Sequence, residues 1–155
     1  MKHWLMKSEP SVFGIDDLKK APKKRSAWDG VRNYQVRNMM RDEMQVDDLA
    51  FFYHSSCDEP GIYGICRIAK TGYPDHTAFD PTNDHFDPKS KPDSPTWYMV
   101  DVEFVERFER PVTLEKLRAH AEKLSDLLIL KRGNRLSITP VTSAEWRYIV
   151  ALAHK

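Results

Sequence analysis

Nine consecutive residues, Ala27-Trp28-Asp29-Gly30-Val31-Arg32-Asn33-Tyr34-Gln35, set an indole, two amide side chains, a glycine and a guanidinium side by side. The chemistry they suit is recognition rather than bond making. Trp28 offers a broad flat apolar surface, Gly30 a backbone that turns tightly or lets a partner approach, and Asn33 and Gln35 each donate and accept hydrogen bonds. A planar ligand with polar edges, such as a nucleobase, fits that set. Plainer roles fit the same residues: Trp28 as a loop residue plugging the core, and Asn33 as the cap of the helix that begins there.

Covalent and metal chemistry find less to work with. His54 and Cys57 are three residues apart on a strand end and turn, with no third group to orient them as a nucleophile and base. His76, His85 and the aspartates around them match no metal-ligand spacing. Walker, dinucleotide-binding, G-x-S-x-G and H-E-x-x-H patterns are all missing. The residues therefore call for no catalytic group, no metal and no cofactor. Cys57 and Cys66 fit neither a disulfide framework nor a metal site, and both are expected to be reduced.

A binding pocket is better supplied. Trp28, Tyr53, Phe79 and Trp97 fall at strand ends or in loops, accompanied by the polar side chains of Ser8, Asn33, His54 and Ser55. One base stacked on an aromatic ring is worth about 1–3 kcal/mol. Charge adds to this. The whole chain carries only +1, but residues 1–41 hold ten Lys/Arg against four Asp/Glu, +6, while the rest holds 14 against 19, −5. The run Lys19-Lys20-Ala21-Pro22-Lys23-Lys24-Arg25 is a solvated loop or a phosphate contact, and Arg32 and Arg37 follow it closely.

The elements that would position these groups follow from periodicity. His3 to Lys7 reads as a strand stopped by Ser8-Glu9-Pro10, and Ser11 to Leu18 as a short helical turn before the basic loop. Val31 to Met44 has helical spacing, with Val36, Met39 and Met40 on one face and Tyr34, Arg37 and Arg41 on the next. Residues 49–68 read as an antiparallel hairpin turned at Asp58-Glu59-Pro60-Gly61. Ala69 to Thr96 carries five of the ten prolines and reads as a long irregular segment, packed through Tyr73, Phe79 and Phe86. A strand at 97–105, a helix capped by Thr113, a second apolar helical segment over 124–130 and a strand at 136–139 follow. The last helix starts at a capping box, Thr142 with Glu145, and a staple, Val141 with Trp146.

This order lacks regular βαβ alternation and predicts an α+β fold around a mostly antiparallel sheet or partial barrel. At 155 residues the chain predicts one domain, 1–155, with enough core to need no staple. No apolar run reaches the roughly 20 residues of a membrane helix and the start lacks a signal-peptide core, so a cytoplasmic protein is expected.

Six segments in order carry a resemblance: Trp4-Leu5-Met6-Lys7-Ser8-Glu9-Pro10, Trp28 to Gln35, Phe51-Phe52-Tyr53-His54-Ser55, Phe86-Asp87-Pro88-Lys89-Ser90, Trp97 to Val102, and Lys131-Arg132-Gly133-Asn134-Arg135-Leu136-Ser137. Together they span nearly the whole chain, which resembles the EVE domain family. The resemblance implies a PUA-like fold, a mixed, mostly antiparallel pseudo-barrel with flanking helices. It also implies a non-catalytic, cofactor-free module that reads a modified base in RNA or DNA, related to the YTH readers of methylated adenine. Lys7-Ser8 and Trp28 match features of those readers, which gives Trp28 a stacking role and Ser8 a polar contact. The base pocket expected on these grounds comprises Lys7, Ser8, Trp28, Asn33, Tyr34, Tyr53, His54 and Ser55, with Phe79 or Trp97 as the far wall. Lys23, Lys24, Arg25, Arg32, Arg37 and Arg132 are expected on phosphate, in a monomer whose partner is nucleic acid. Two further functions stay open: an enzyme acting on RNA or modified nucleotides, and a sensor of a free nucleobase or nucleoside.

Overall fold

The computed structural model describes residues 1–155. Six strands, β1 (His3–Ser8), β2 (Arg25–Trp28), β3 (Leu49–His54), β4 (Gly61–Pro74), β5 (Tyr98–Thr113) and β6 (Ile138–Val141), form one sheet in the order β2-β5-β4-β3-β1-β6. Only β1 and β3 run parallel; every other pairing is antiparallel. The two outer strands do not pair with each other, so the sheet is mixed, mostly antiparallel, and open rather than closed into a barrel.

Alternation along the central strands sorts the interior into two cores. Trp4, Met6, Ala50, Phe52, Cys66 and Ile68 pack on one face with Trp28 and Val31, while Leu5, Phe51, Tyr53, Ile62 and Ile65 pack on the other. Because both faces are covered, β3 reads as the unbroken apolar run Leu49-Ala50-Phe51-Phe52-Tyr53 instead of an alternating one. Helix α4 (Ser143–Ala153) covers the second face. Its Thr142 hydroxyl accepts the Glu145 N–H at 3.1 Å, and Trp146 stacks on Phe51 with centroids 3.9 Å apart. The capping box and the buried Trp146 are therefore as the sequence predicts. Thr113 likewise caps α3 (Leu114–Ala119) by accepting the Lys116 N–H.

Several expectations change. Arg25–Trp28, read as loop, is an edge strand whose register puts Trp28 opposite Val100. The helix foreseen over 31–44 divides into α2 (Tyr34–Asn38) and a π-helical turn, Met39–Glu43. Gly72 explains that packing: a side chain there would stand 2.8 Å from the Arg41 Cα, so the absence of one lets the turn lie against β4. β4 runs on to Pro74, which shortens the irregular segment expected from residue 69. The apolar stretch 124–130 forms 3-10 turns at Ala121–Leu124 and Leu128–Leu130 rather than one helix. The last strand is displaced to 138–141. It lies at the sheet edge and pairs Pro140 with Trp4. No helix is long and apolar enough to cross a membrane.

Candidate functional site

A cavity of about 700 Å³ lies on the face of the sheet that carries Trp28. Its walls come from the C-terminal end of β1, the following turn, the end of β2 with its loop to α2, the end of β3, and the approach to β6. Such volumes suit small planar ligands.

Trp28 ends β2 in a T-shaped contact with Phe52, centroids 5.5 Å apart at 79°. It is only 8% exposed, so it belongs to the core and to the cavity wall at once. Phe13 is the second aromatic on the cavity. It is brought there by a turn that Ser8 fastens, donating its hydroxyl to the Phe13 carbonyl at 2.6 Å. Lys7 is half-buried beside it, and burial pulls its ammonium below the ordinary lysine value. Neither the Lys7 ammonium nor the Arg135 guanidinium, which also lines the cavity, has a hydrogen-bond or ion-pair partner in the protein.

The loop after Trp28 is held from outside its own segment. Gly30 has φ +76°, and its N–H donates to the buried Asp75 carboxylate at 2.8 Å. The Thr77 hydroxyl and N–H donate to the other oxygen, at 2.6 and 2.9 Å. Arg32 reaches the same carboxylate at 3.1 Å and also donates to the His85 carbonyl and to Thr77. Burial would raise the Asp75 carboxyl, but the hydrogen bonds from Thr77, Gly30 and Arg32 outweigh it and hold the group below the ordinary carboxylate value. The His85 ring sits over Gly30, 2.6 Å from where a side chain would begin, and closes that side of the cavity.

Lys7, Ser8, Trp28, Arg32, Asn33 and Ser55 thus meet around one cavity, as a group drawn from β1, β2, its loop and the end of β3. Asn33 does so while capping α2, its side-chain oxygen accepting the Val36 N–H at 3.0 Å.

Other residues expected in the pocket stand elsewhere. Tyr53 points into the opposite core, where burial pushes its phenol up to about 12. His54 is on the cavity side of the sheet but beneath α1 (Ile15–Lys20), where its Nε2 accepts the Ile15 N–H at 3.1 Å and its ring stacks on Tyr63. Burial lowers its pKa from the ordinary 6.5. Phe79 and Trp97 do not line the cavity. Trp97 is buried and donates its indole N–H to Asp87 at 2.7 Å. Tyr34 lies outside the cavity and packs on Trp97.

The expected phosphate contacts divide similarly. Lys23 and Lys24 are exposed with φ +57°, and the Lys24 ammonium lies 5.7 Å from the Phe104 ring centroid. Arg25 pairs with Glu103 at 2.6 Å. Arg37 donates to neutral oxygens of Thr96 and Asn38, and Arg132 is exposed in the turn before β6.

Phe13, Asp75, His85, Arg135 and Ser137 belong to the site but not to the base pocket expected from the sequence, where His85 and the aspartates near it enter only as metal ligands that are set aside. Only Asp75 had a local signal, the Asp-x-Thr spacing of a side-chain turn onto Thr77. No group of three or more His, Cys, Asp or Glu stands close enough to hold a metal ion. Cys57 and Cys66 are free thiols.

The chain has well-defined relatives. Human thymocyte nuclear protein 1 is 45% identical over 169 aligned residues, which cover 99% of this chain and 74% of the human protein. A structure of human THYN1 in complex with 5-methylcytosine-containing DNA superposes with a TM-score of 0.93 at 45% identity, covering 100% of this chain and 99% of that one. A crystal structure of a Pseudomonas putida protein gives a TM-score of 0.92 at 47% identity, covering 97% and 99% of the two chains. The family model for the EVE domain matches residues 2–152. With that match and these relatives, and with an open mixed sheet of the PUA-like kind, this chain belongs to the EVE domain family.

Proposed function

We propose that this chain is a non-catalytic nucleic-acid-binding module that admits a modified base, 5-methylcytosine first among the candidates, into the cavity beside Trp28. The observation that carries this reading is the cavity itself. It joins an indole, a pinned polar loop and two cations that the protein leaves unpaired. The likeness to a human protein solved with 5-methylcytosine DNA supports the choice of ligand and favours DNA over RNA.

The division of labour follows from the geometry. Trp28 and Phe13 give the base an apolar surface, on which an added methyl group gains by leaving water. Asn33, Ser55 and Ser137 offer polar atoms to its edges. Lys7 and Arg135 supply charge to the attached phosphate, an interaction that weakens as salt rises. The module works as a single copy in the cytoplasm, without a cofactor.

The test is fluorescence anisotropy on matched oligonucleotides, DNA and RNA, with and without one modified cytosine, at two salt concentrations. Tighter binding of the modified strand, reduced at least fivefold by Trp28→Phe and by Lys7→Met, is the expected result. Trp28 is a core residue, so thermal melts accompany both variants, and Lys7→Met keeps the test meaningful if the Trp28 variant unfolds. Equal affinity for modified and unmodified strands would sink the reading.

A further inference from the structure

From the cavity wall outward, Arg32, Trp97, Tyr34 and Arg37 form a continuous ladder, two packed rings between two cations. The Arg32 guanidinium, on the cavity wall, lies 5.4 Å from the Trp97 ring centroid. Trp97 and Tyr34 pack with centroids 4.8 Å apart at 31°, and the Arg37 guanidinium lies 4.9 Å from the Tyr34 ring. Tyr34 is 61% exposed, an unusual state for a ring so placed, and its hydroxyl has no partner in the protein.

Arg37 is held yet not neutralised. Its Nε and one terminal nitrogen donate to the Asn38 side-chain oxygen at 3.1 and 2.9 Å, and the other terminal nitrogen donates to the Thr96 carbonyl at 3.0 Å. It enters none of the protein's ion pairs. Three of the five N–H groups of a guanidinium are thus used on neutral acceptors, and two remain. A fixed, unpaired cation beside an exposed, braced ring is the pairing that grips a nucleic-acid strand: the ring stacks a base and the cation takes its phosphate. Because Trp97 already orders Tyr34, little rotamer freedom is lost on contact.

We propose that Tyr34 and Arg37 form a second nucleic-acid contact that holds the nucleotide flanking the base in the cavity. This rests on the base-reading function above for its register, since Asn33, next to Tyr34, lines the cavity. The strand therefore leaves the cavity across Arg32 and passes over Tyr34. The contact is indifferent to base identity, because every base has a face to stack.

The experiment compares two ligands on the intact protein: free 5-methyldeoxycytidine by calorimetry, and a short oligonucleotide carrying one 5-methylcytosine by anisotropy. Tyr34→Ala is expected to weaken the oligonucleotide by roughly five- to a hundredfold, the range for one lost base stack, while leaving the nucleoside unchanged. Tyr34→Phe keeps wild-type affinity, because the ring and not the hydroxyl acts. Arg37→Gln lowers the slope of log K against log[salt] by about 0.7–0.9, one phosphate contact. An unchanged oligonucleotide affinity in Tyr34→Ala overturns the proposal, as does an equal loss for the nucleoside, which would place Tyr34 in the cavity. If wild-type protein binds the nucleoside but gains nothing from flanking nucleotides, this contact is refuted while the cavity reading stands. If it binds oligonucleotides without regard to the modification, the cavity reading fails while Tyr34 dependence still decides the contact.

Discussion

The Asp75 carboxylate accepts the backbone N–H of Gly30 across 45 residues of sequence, and this bond fastens the loop that walls the cavity. One oxygen serves Gly30 and Arg32, the other serves Thr77 twice. All four donors face a group with no exposed surface, so the carboxylate can be exchanged for nothing with fewer acceptors.

Asp75→Asn turns one acceptor into a donor and leaves either Gly30 and Arg32 or Thr77 facing it. The expected cost is about 3 kcal/mol, typical of breaking a buried charged pair. Chemical denaturation checks it, and a loss below about 1 kcal/mol would show that the loop holds without this residue.

Gly30→Ala tests the same loop from the backbone. Its φ of +76° alone costs a residue with a side chain about 1–2 kcal/mol. The methyl group also meets the His85 ring, but that ring is exposed and can swing aside. The double variant Gly30→Ala/His85→Ala is therefore expected to be no more stable than Gly30→Ala alone. Full recovery in the double variant would assign the cost to the clash instead.

His54 and His3 give stability a pH dependence of defined sign. Burial, the largest cause in each, lowers both imidazoles below the ordinary 6.5. The unfolded chain then takes up protons that the folded chain refuses, so stability is whole above pH 6.5 and falls as pH drops below it. Melting temperature between pH 7.5 and 5 shows the slope. His54→Asn should reduce that slope while lowering overall stability; a slope identical to wild type would remove His54 from the account.

Thr142→Ala removes the cap of α4, on the face of the sheet away from the cavity, and is expected to cost about 1 kcal/mol. Oligonucleotide affinity should be unaltered. A change in affinity with little change in stability would mean that the two faces are coupled.

Much of this architecture is legible along the chain because its signals are local. Thr142 with Glu145 and Thr113 declare helix starts, and residues 49–68 declare a hairpin. Half of the cavity is local as well, since Lys7 and Ser8 end one strand and Trp28 to Asn33 run from the end of another into a single loop. Arg25–Trp28 was not legible as a strand because its residues do not alternate; pairing with β5 makes it one. Asp75, His85 and Arg135 join the site only through tertiary contacts, which periodicity cannot report. Tyr53 is a different case. Strand alternation forbids it from sharing a face with Phe52 and His54, so its place in the opposite core follows from the period of a strand once Leu49–His54 is accepted as one.

The open sheet ends at β6, where Pro140 is the one exposed residue of the strand and governs what that edge can do. Lys7 donates its N–H to the Ser137 carbonyl at 2.8 Å, which makes the hydrogen-bonded rungs fall at 137, 139 and 141 and turns the backbone of residue 140 outward. A foreign strand arriving there would seek an N–H at that position and meet a pyrrolidine ring. Such an edge resists lateral growth into aggregates, so the chain can carry an unfinished sheet without becoming a template for its own copies.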